Sequence, residues 1–238
     1  MLGLPDPISA CLFDLDGVLT QTAKIHAAAW KQMFDGYLRD RVAQTGEPFR
    51  PFELPGDYDE YVDGKPRLDG VRSFLASRGI ELDDETVHAL GLRKNDLVLE
   101  LIRTQGVESF EGSVRYVEAA REHSLRRAVV SASTNCRDVL AAAGITGLFE
   151  VVVDGLVAER EGLRGKPAPD TFLAAAKALG TEPAHAAVFE DALAGVEAGR
   201  AGDFGCVIGV DRTGQADALR RRGADVVVQD LAELLDGR

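Results

Sequence analysis

The sequence predicts an α/β fold: a parallel sheet wound on both faces by helices and interrupted by an all-helical insertion. Three observations predict it. Short apolar runs recur along the chain, they alternate with amphipathic stretches of helical length, and one long interval carries helical patterning without a strand. The strand candidates are residues 8–13, 127–130, 151–153, 186–189, 206–210 and 224–228, and the helical stretches between them are 113–123, 136–143, 169–179, 193–201 and 215–222. Gly144 and Gly180 stand where two of those helices should stop. Strict alternation requires right-handed crossovers and strands covered on both sides, so the arrangement is a doubly wound, Rossmann-like core. Ligands of such sheets sit beyond the carboxyl ends of the strands.

Taken in order, the first strand runs into "FDLDGVLT", placing Asp14 and Asp16 at its carboxyl end, with Gly17 after them. From residue 22 to 106 the strand rhythm lapses. "AKIHAAAWKQMFDGYLRD", "LDGVRSFLASRG" and "DDETVHALGLRKNDLVLELIRTQG" carry helical periodicity, and the aromatic, Pro-rich "PFRPFELPGDYDEYVDGKPR" joins the first two. The expected organisation is a catalytic core of residues 1–21 and 107–238 and a helical cap of residues 22–106, inserted directly after the acidic pair and so placed to cover it. The second strand, "RAVVSAST", ends in Ser131. "GKPAPD", with Lys166, leads into the helical stretch 169–179, and "AAVFEDALAG" ends in Glu190 and Asp191.

Composition bounds the function. The 238 residues are 45% apolar, enough for a substantial core. The start "MLGLPDPIS" has neither a basic opening nor a long apolar run, and no stretch reaches the ~18 apolar residues of a membrane span, so a cytoplasmic, membrane-free protein is expected. A formal net charge of −12 argues against a nucleic-acid partner, because backbone binding needs a clustered basic face. It leaves small phosphorylated substrates open, since a metal ion and a few cations meeting at one point can hold such an anion. Cys11, Cys136 and Cys206 are far apart and form no C-x-x-C pair, so reduced thiols are expected rather than disulfides or a zinc site.

Each polar strand end has an ordinary structural explanation. "DLDG" can be a turn, Ser131 a helix cap, Lys166 a solvated side chain, and Glu190 with Asp191 favourable charge at a helix start. Their convergence on one sheet edge favours chemistry instead. Clustered carboxylates repel one another unless a divalent cation joins them, and oxygen-only ligands suit Mg²⁺, which commonly couples protein carboxylates to a phosphate. Asp14, Glu190 and Asp191 are the candidate ligands. A carboxylate so compensated can attack phosphorus, with Lys166 offsetting charge on the transferred group, Ser131 donating to it, and Asp16 exchanging a proton with the substrate hydroxyl.

"FDLDGVLT", "VVSASTN", "GKPAPDTF" and "VFEDALAGVEAG" resemble, in order and spacing, the four motifs of the haloacid dehalogenase superfamily of phosphotransferases, over essentially the whole chain. The resemblance implies Asp14 as nucleophile, Asp16 as acid/base and as donor of a backbone carbonyl to the metal, Glu190 and Asp191 as metal ligands, and Ser131 and Lys166 on the transferring phosphoryl group. "TAKIHAAAW", "SASTN", "RKND" and "GKPAPD" are most similar to the sugar-phosphate mutases of that superfamily. They imply interconversion of β-D-glucose 1-phosphate and glucose 6-phosphate through an aspartyl-phosphate and a bisphosphate. A second phosphate would then be held by Arg67, Ser133 and Asn135, and His26 would face the substrate. Gln21, Asp63, Thr134 and Glu111 depart from the mutase pattern; Asp63 and Thr134 stand where it has lysines, which reduces positive charge at the cap and at the distal phosphate site. The alternative within the superfamily is a phosphatase of a sugar phosphate. A signalling receiver module would leave residues 22–106 without a purpose, and "GLRGKP" lacks the glycine spacing of a nucleotide-binding phosphate loop.

Overall fold

The computed structural model describes residues 2–235. Six strands form one all-parallel sheet: β1 (Ala10–Phe13), β2 (Arg126–Val130), β3 (Val151–Val153), β4 (Ala186–Glu190), β5 (Cys206–Val210) and β6 (Val226–Val228), in the order β3-β2-β1-β4-β5-β6. The chain builds outward from β1 through β2 to β3, then returns to the other side of β1 for β4. The order therefore reverses at β1 and β4, which is where doubly wound sheets open a crevice for ligands. Register brings Phe13 opposite both Val129 and Phe189. Asp14 N–H donates to the Phe189 carbonyl at 2.9 Å, carrying the ladder one residue into the loop.

The side-chain period of two divides the strand residues between two cores. Ala10, Leu12, Ala128, Val130 and Val188 face a layer built on α8 (Asp170–Leu179), α9 (Leu193–Ala201) and α10 (Ala216–Arg222), with Phe172 at its centre. Phe13 and Phe189 face the other way and stack at 4.4 Å, capped by Tyr116 of α5 (Glu111–Glu122) at 5.2 Å from Phe189. The strands are short because both faces are buried and only a continuous apolar run can occupy such a position. Between β2 and β3 the chain makes α6 (Cys136–Ala142).

A second compact unit comprises residues 22–63 and 67–106, while residues 64–66 cluster with the sheet unit. It is made of α1 (Ala23–Thr45), α2 (Gly56–Tyr61), α3 (Arg67–Ser77) and α4 (Asp84–Gln105). Its core is aromatic: Phe34 lies 5.1 Å from Phe52 and 4.3 Å from Phe74. The Pro-rich connection is fastened at Phe52, whose N–H donates to Asp35 at 2.8 Å and whose carbonyl accepts from Lys31 at 2.7 Å.

Three elements differ from expectation. α1 continues five residues past Asp40 and stops only at Gly46, φ 73°, because its last turns are polar and carry no apolar period. The Pro-rich connection contains α2. A further helix, α7 (Gly155–Glu161), follows β3; it has no buried residue and hence no apolar stripe to read, and it is started by Asp154, which accepts from Val157 N–H. α7 also moves Lys166 off any strand end: β3 runs directly into Asp154, and Lys166 lies on the loop between α7 and α8.

The three cysteines are free and buried. Burial pushes every thiol up, Cys206 to about 11 and the other two further. The native protein at pH 7–8 should therefore react with no equivalent of a thiol-specific chromogenic reagent within minutes and with three on unfolding. Rapid reaction of one native thiol would contradict this packing.

Candidate active site

The loop leaving β1 turns sharply. Gly17 sits at φ 87°, its N–H donates to Thr20 at 2.8 Å, and the Leu15 carbonyl accepts from Leu19, Thr20 and the Thr20 hydroxyl. A Cβ at Gly17 would fall 1.7 Å from Asp191 Oδ2, so only glycine lets this backbone approach the carboxylate. A Cβ at Gly195 would fall 1.8 Å from Glu190 Oε1, which fixes a second glycine, at the start of α9, against the same group.

Lys166 Nζ is the hub. It donates to Asp14 Oδ1 at 2.5 Å, to Glu190 Oε1 at 2.5 Å and to the Val130 carbonyl at 3.1 Å, satisfying all three ammonium protons, and it lies 4.9 Å over the Phe172 ring. Burial raises the Asp14 carboxyl to about 6; the Lys166 ammonium opposes the shift, and the Asp16 charge adds to it. Burial likewise lifts Glu190 to about 7, against Lys166. Burial also works against the Lys166 charge, but the two carboxylates overcome it and hold the ammonium above its ordinary value. Asp14, Glu190 and Asp191 each offer an oxygen within 4.8 Å of the others, and all three are buried. Three carboxylates and a single ammonium leave excess negative charge in a low-dielectric place, and an all-oxygen donor set of this kind fits a hard divalent cation.

The neighbouring strand end forms the other wall. Ser131 is 3% exposed; its N–H donates to the Val153 carbonyl and its hydroxyl accepts from Ser133 N–H at 3.1 Å. The Ser133 hydroxyl in turn accepts from Asn135 N–H at 3.1 Å, and the Ser133 carbonyl from Gly155 N–H at 3.1 Å. The loop from 131 to 135 is thus pinned in a tight conformation just before α6. Asp16 follows Asp14 on the first loop and pairs by a backbone bridge with Thr20.

Two of the candidate residues belong to the helical unit. Arg67 opens α3, and its Nη1 donates to Asn95 Oδ1 at 2.8 Å. His26, in the first turn of α1, lies with Nδ1 2.9 Å from Lys94 Nζ; burial and then the Lys94 charge drive its pKa well below the usual value, so it is neutral and Nδ1 accepts. Lys94, the lysine of "RKND" to which sequence reasoning gave no role, is 6% exposed and stands 4.9 Å over Trp30. The signal was present: Leu90, Lys94 and Val98 share one buried stripe of α4, and a lysine in such a stripe needs a reason.

A parallel sheet with a buried carboxylate, lysine and acidic pair at its switch point defines the class of α/β enzymes that transfer phosphoryl groups. The comparisons narrow the class. The family model described as haloacid dehalogenase-like hydrolase matches residues 8–203. The sequence is 57% identical to a β-phosphoglucomutase of Mycobacterium bovis over 99% of this chain and 94% of that protein. It is 30% identical to a β-phosphoglucomutase of Bacillus subtilis over 95% and 92%. A crystal structure of β-phosphoglucomutase from Clostridium difficile superposes with a TM-score of 0.76 at 25% identity, covering 95% of this chain and 93% of that one. The chain belongs to the haloacid dehalogenase-like hydrolase family and is an enzyme, a phosphotransferase or phosphatase. Among the described residues, no helix is long and apolar enough to cross a membrane.

Proposed function

We propose that the protein is a Mg²⁺-dependent mutase that interconverts β-D-glucose 1-phosphate and glucose 6-phosphate. The observation that carries the reading is its near-full-length likeness to proteins named β-phosphoglucomutase, in a chain whose Asp14, Lys166, Glu190 and Asp191 converge on one buried point. Phosphoryl-Asp14 passes its phosphoryl group to the C6 hydroxyl of β-D-glucose 1-phosphate, whose proton goes to Asp16, and the 1,6-bisphosphate so formed turns round. Asp14 Oδ then attacks the C1 phosphorus and the C1 oxygen leaves with the proton from Asp16, which releases glucose 6-phosphate and restores phosphoryl-Asp14. With its carboxyl at about 6, Asp14 is largely the anion at neutral pH despite its burial. Lys166 and Ser131 hold the transferring oxygens, and Arg67, Ser133 and Asn135 hold the phosphate that does not react. Mg²⁺ on Asp14, the Asp16 carbonyl, Glu190 and Asp191 would supply charge neutralisation of the phosphoryl oxygens.

The test is β-D-glucose 1-phosphate with a trace of the 1,6-bisphosphate and Mg²⁺, followed for glucose 6-phosphate and inorganic phosphate. Glucose 6-phosphate in large excess over free phosphate supports the mutase. Phosphate alone would establish the second reading, a sugar-phosphate phosphatase, to which the 36% identity to a trehalose-phosphate phosphatase of Mycobacterium leprae points over 52% of this chain and 28% of that protein. Arg67→Ala separates the two within one protein. Loss of a bidentate phosphate anchor should lower isomerisation by roughly 10- to 100-fold, while hydrolysis of a small phosphate ester, which has no second phosphate, changes by less than about 3-fold. Equal losses would count against Arg67 as the anchor of the idle phosphate.

A further inference from the structure

The loop between β5 and α10 belongs to none of the four motifs, yet it reaches two of them. Its conformation is fixed by Asp211, whose Oδ1 accepts from the N–H groups of Thr213 at 3.3 Å, Gly214 at 2.7 Å and Gln215 at 2.7 Å, and whose Oδ2 accepts from Ala216 at 3.2 Å. The Asp211 N–H is itself tied to the Val228 carbonyl at 2.7 Å. Four donors on one carboxylate make the loop a rigid platform rather than a mobile connection.

From this platform two side chains extend to the site. Arg212 Nε donates to the Gly17 carbonyl at 2.8 Å, and its Nη1 donates to the Gln229 carbonyl at 2.7 Å and to Asp230 Oδ2 at 3.4 Å. Its guanidinium lies 3.6 Å over the Phe110 ring. Only 17% of the side chain is exposed. The planar fork is thus held on one face by an aromatic ring and along one edge by two backbone carbonyls, a geometry that lysine cannot reproduce. Three residues on, Gln215 Nε2 donates to the Asp191 carbonyl at 3.1 Å. Gly17 and Asp191 are the two groups that approach too closely for a Cβ to fit between them.

We infer that the loop Asp211–Gln215 is a clamp that sets the spacing between the Asp14–Gly17 loop and Asp191, with Arg212 and Gln215 as positioning residues. The inference rests on the reading of Asp14, Asp16 and Asp191 as the working groups of the reaction. Asp16 lies one residue before the carbonyl that Arg212 holds, so release of Gly17 lets the acid/base carboxylate drift relative to the nucleophile. Within the loop, the Gly17 N–H bond to the Thr20 carbonyl sets the turn itself. The other ties from outside it, Ser113 Oγ to the Val18 carbonyl at 2.7 Å and Phe110 N–H to the Leu19 carbonyl at 2.9 Å, lie further along and do not hold the Gly17 carbonyl that Arg212 holds. Displacement of a working group by about 1 Å is enough to cost on the order of 100-fold in rate.

The experiment compares Arg212→Ala, Arg212→Lys, Gln215→Ala and the Arg212→Ala/Gln215→Ala double variant with the full-length parent. Isomerisation and hydrolysis of p-nitrophenyl phosphate are both measured, with kcat and KM separated and a thermal melt for each variant. Arg212→Ala should lose roughly 10- to 100-fold in kcat for both activities with KM within about 3-fold, and millimolar guanidinium ion should restore part of it. Arg212→Lys should fall between, Gln215→Ala should lose a few-fold, and the double variant should lose less than the product of the two single losses because both act on one spacing. Unchanged kcat with only a lowered melting temperature would overturn the clamp. If Arg212→Ala does not fold, Arg212→Lys and Gln215→Ala decide the matter by the same criterion. The two readings fail separately: a parent that hydrolyses but does not isomerise, with kcat lost in Arg212→Ala, removes the mutase and keeps the clamp. A parent that isomerises with Arg212→Ala equal to it does the reverse.

Discussion

Asp14→Asn should abolish turnover, by about 10⁴-fold or more, in a protein that melts within about 2 °C of the parent. The amide keeps the shape of the carboxylate, and its Oδ1 still accepts from Lys166, which also keeps Glu190 and the Val130 carbonyl. One negative charge leaves a cluster in which Asp14, Glu190 and Asp191 lie within 4.8 Å of one another, so repulsion is relieved rather than created. What disappears is the only group in the reading that bonds to phosphorus. An amide oxygen is too weak a nucleophile to form the phosphoryl-enzyme, and no other group in the reading substitutes for it. The measurements are a coupled assay for glucose 6-phosphate, a phosphate-release assay, and circular dichroism melts of both proteins. Residual activity above about 1% in either assay would take the nucleophile role away from Asp14. A collapsed melt would show that the carboxylate is structural, and Asp14→Glu would then be read for the same loss without the fold defect.

The sheet and the polar residues at its strand ends were legible because both are written locally. A strand buried on both faces must be a continuous apolar run, so "CLF" and "CVIGV" could be read directly, and their polar successors marked the strand ends. The exposed elements were not legible. α7 buries nothing, so its residues are constrained only by Asp154 at one end and Gly162 at the other, and no period marks it. For the same reason Lys166 was assigned to a strand end although a helix intervenes. The residues that support the site were hidden by distance along the chain. Arg212 meets Gly17 across 195 positions, and Lys94 meets His26 across 68; in each case the partner is recognisable only once packing has brought the two together. The motifs record what the chemistry needs, whereas the hydrogen bonds that hold the first of them come from Arg212, which has no local signature; Lys94 carried only the weaker sign of a lysine in a buried stripe.

Lys166→Met tests whether the buried cluster also bears on stability. The parent has one ammonium shared by two carboxylates and a carbonyl, its side chain 2% exposed and those of Asp14 and Glu190 9% and 0%. Methionine fills similar volume and removes the charge, leaving two buried carboxylates beside Asp191 and a Val130 carbonyl that has lost its Lys166 donor. Removing one partner of a buried ion pair costs about 3–5 kcal/mol, which for a chain of this size lowers the melting temperature by roughly 6–20 °C. The ion pair of Arg164 with Asp170 has comparable distances, 2.7 and 2.9 Å, but Arg164 is 75% exposed, and Arg164→Ala should cost no more than about 1 kcal/mol. Geometry alone would rank the two pairs together; burial separates them. Adding Asp14→Asn to Lys166→Met removes one of the stranded carboxylates and should recover part of the loss, a coupling that independent sites would not show. Millimolar Mg²⁺ should raise the melting temperature of Lys166→Met more than that of the parent, because the cation then meets carboxylates that no ammonium compensates. A Lys166→Met melt within 2 °C of the parent, or an equal Mg²⁺ shift in both proteins, would mean that the lysine does not compensate this cluster.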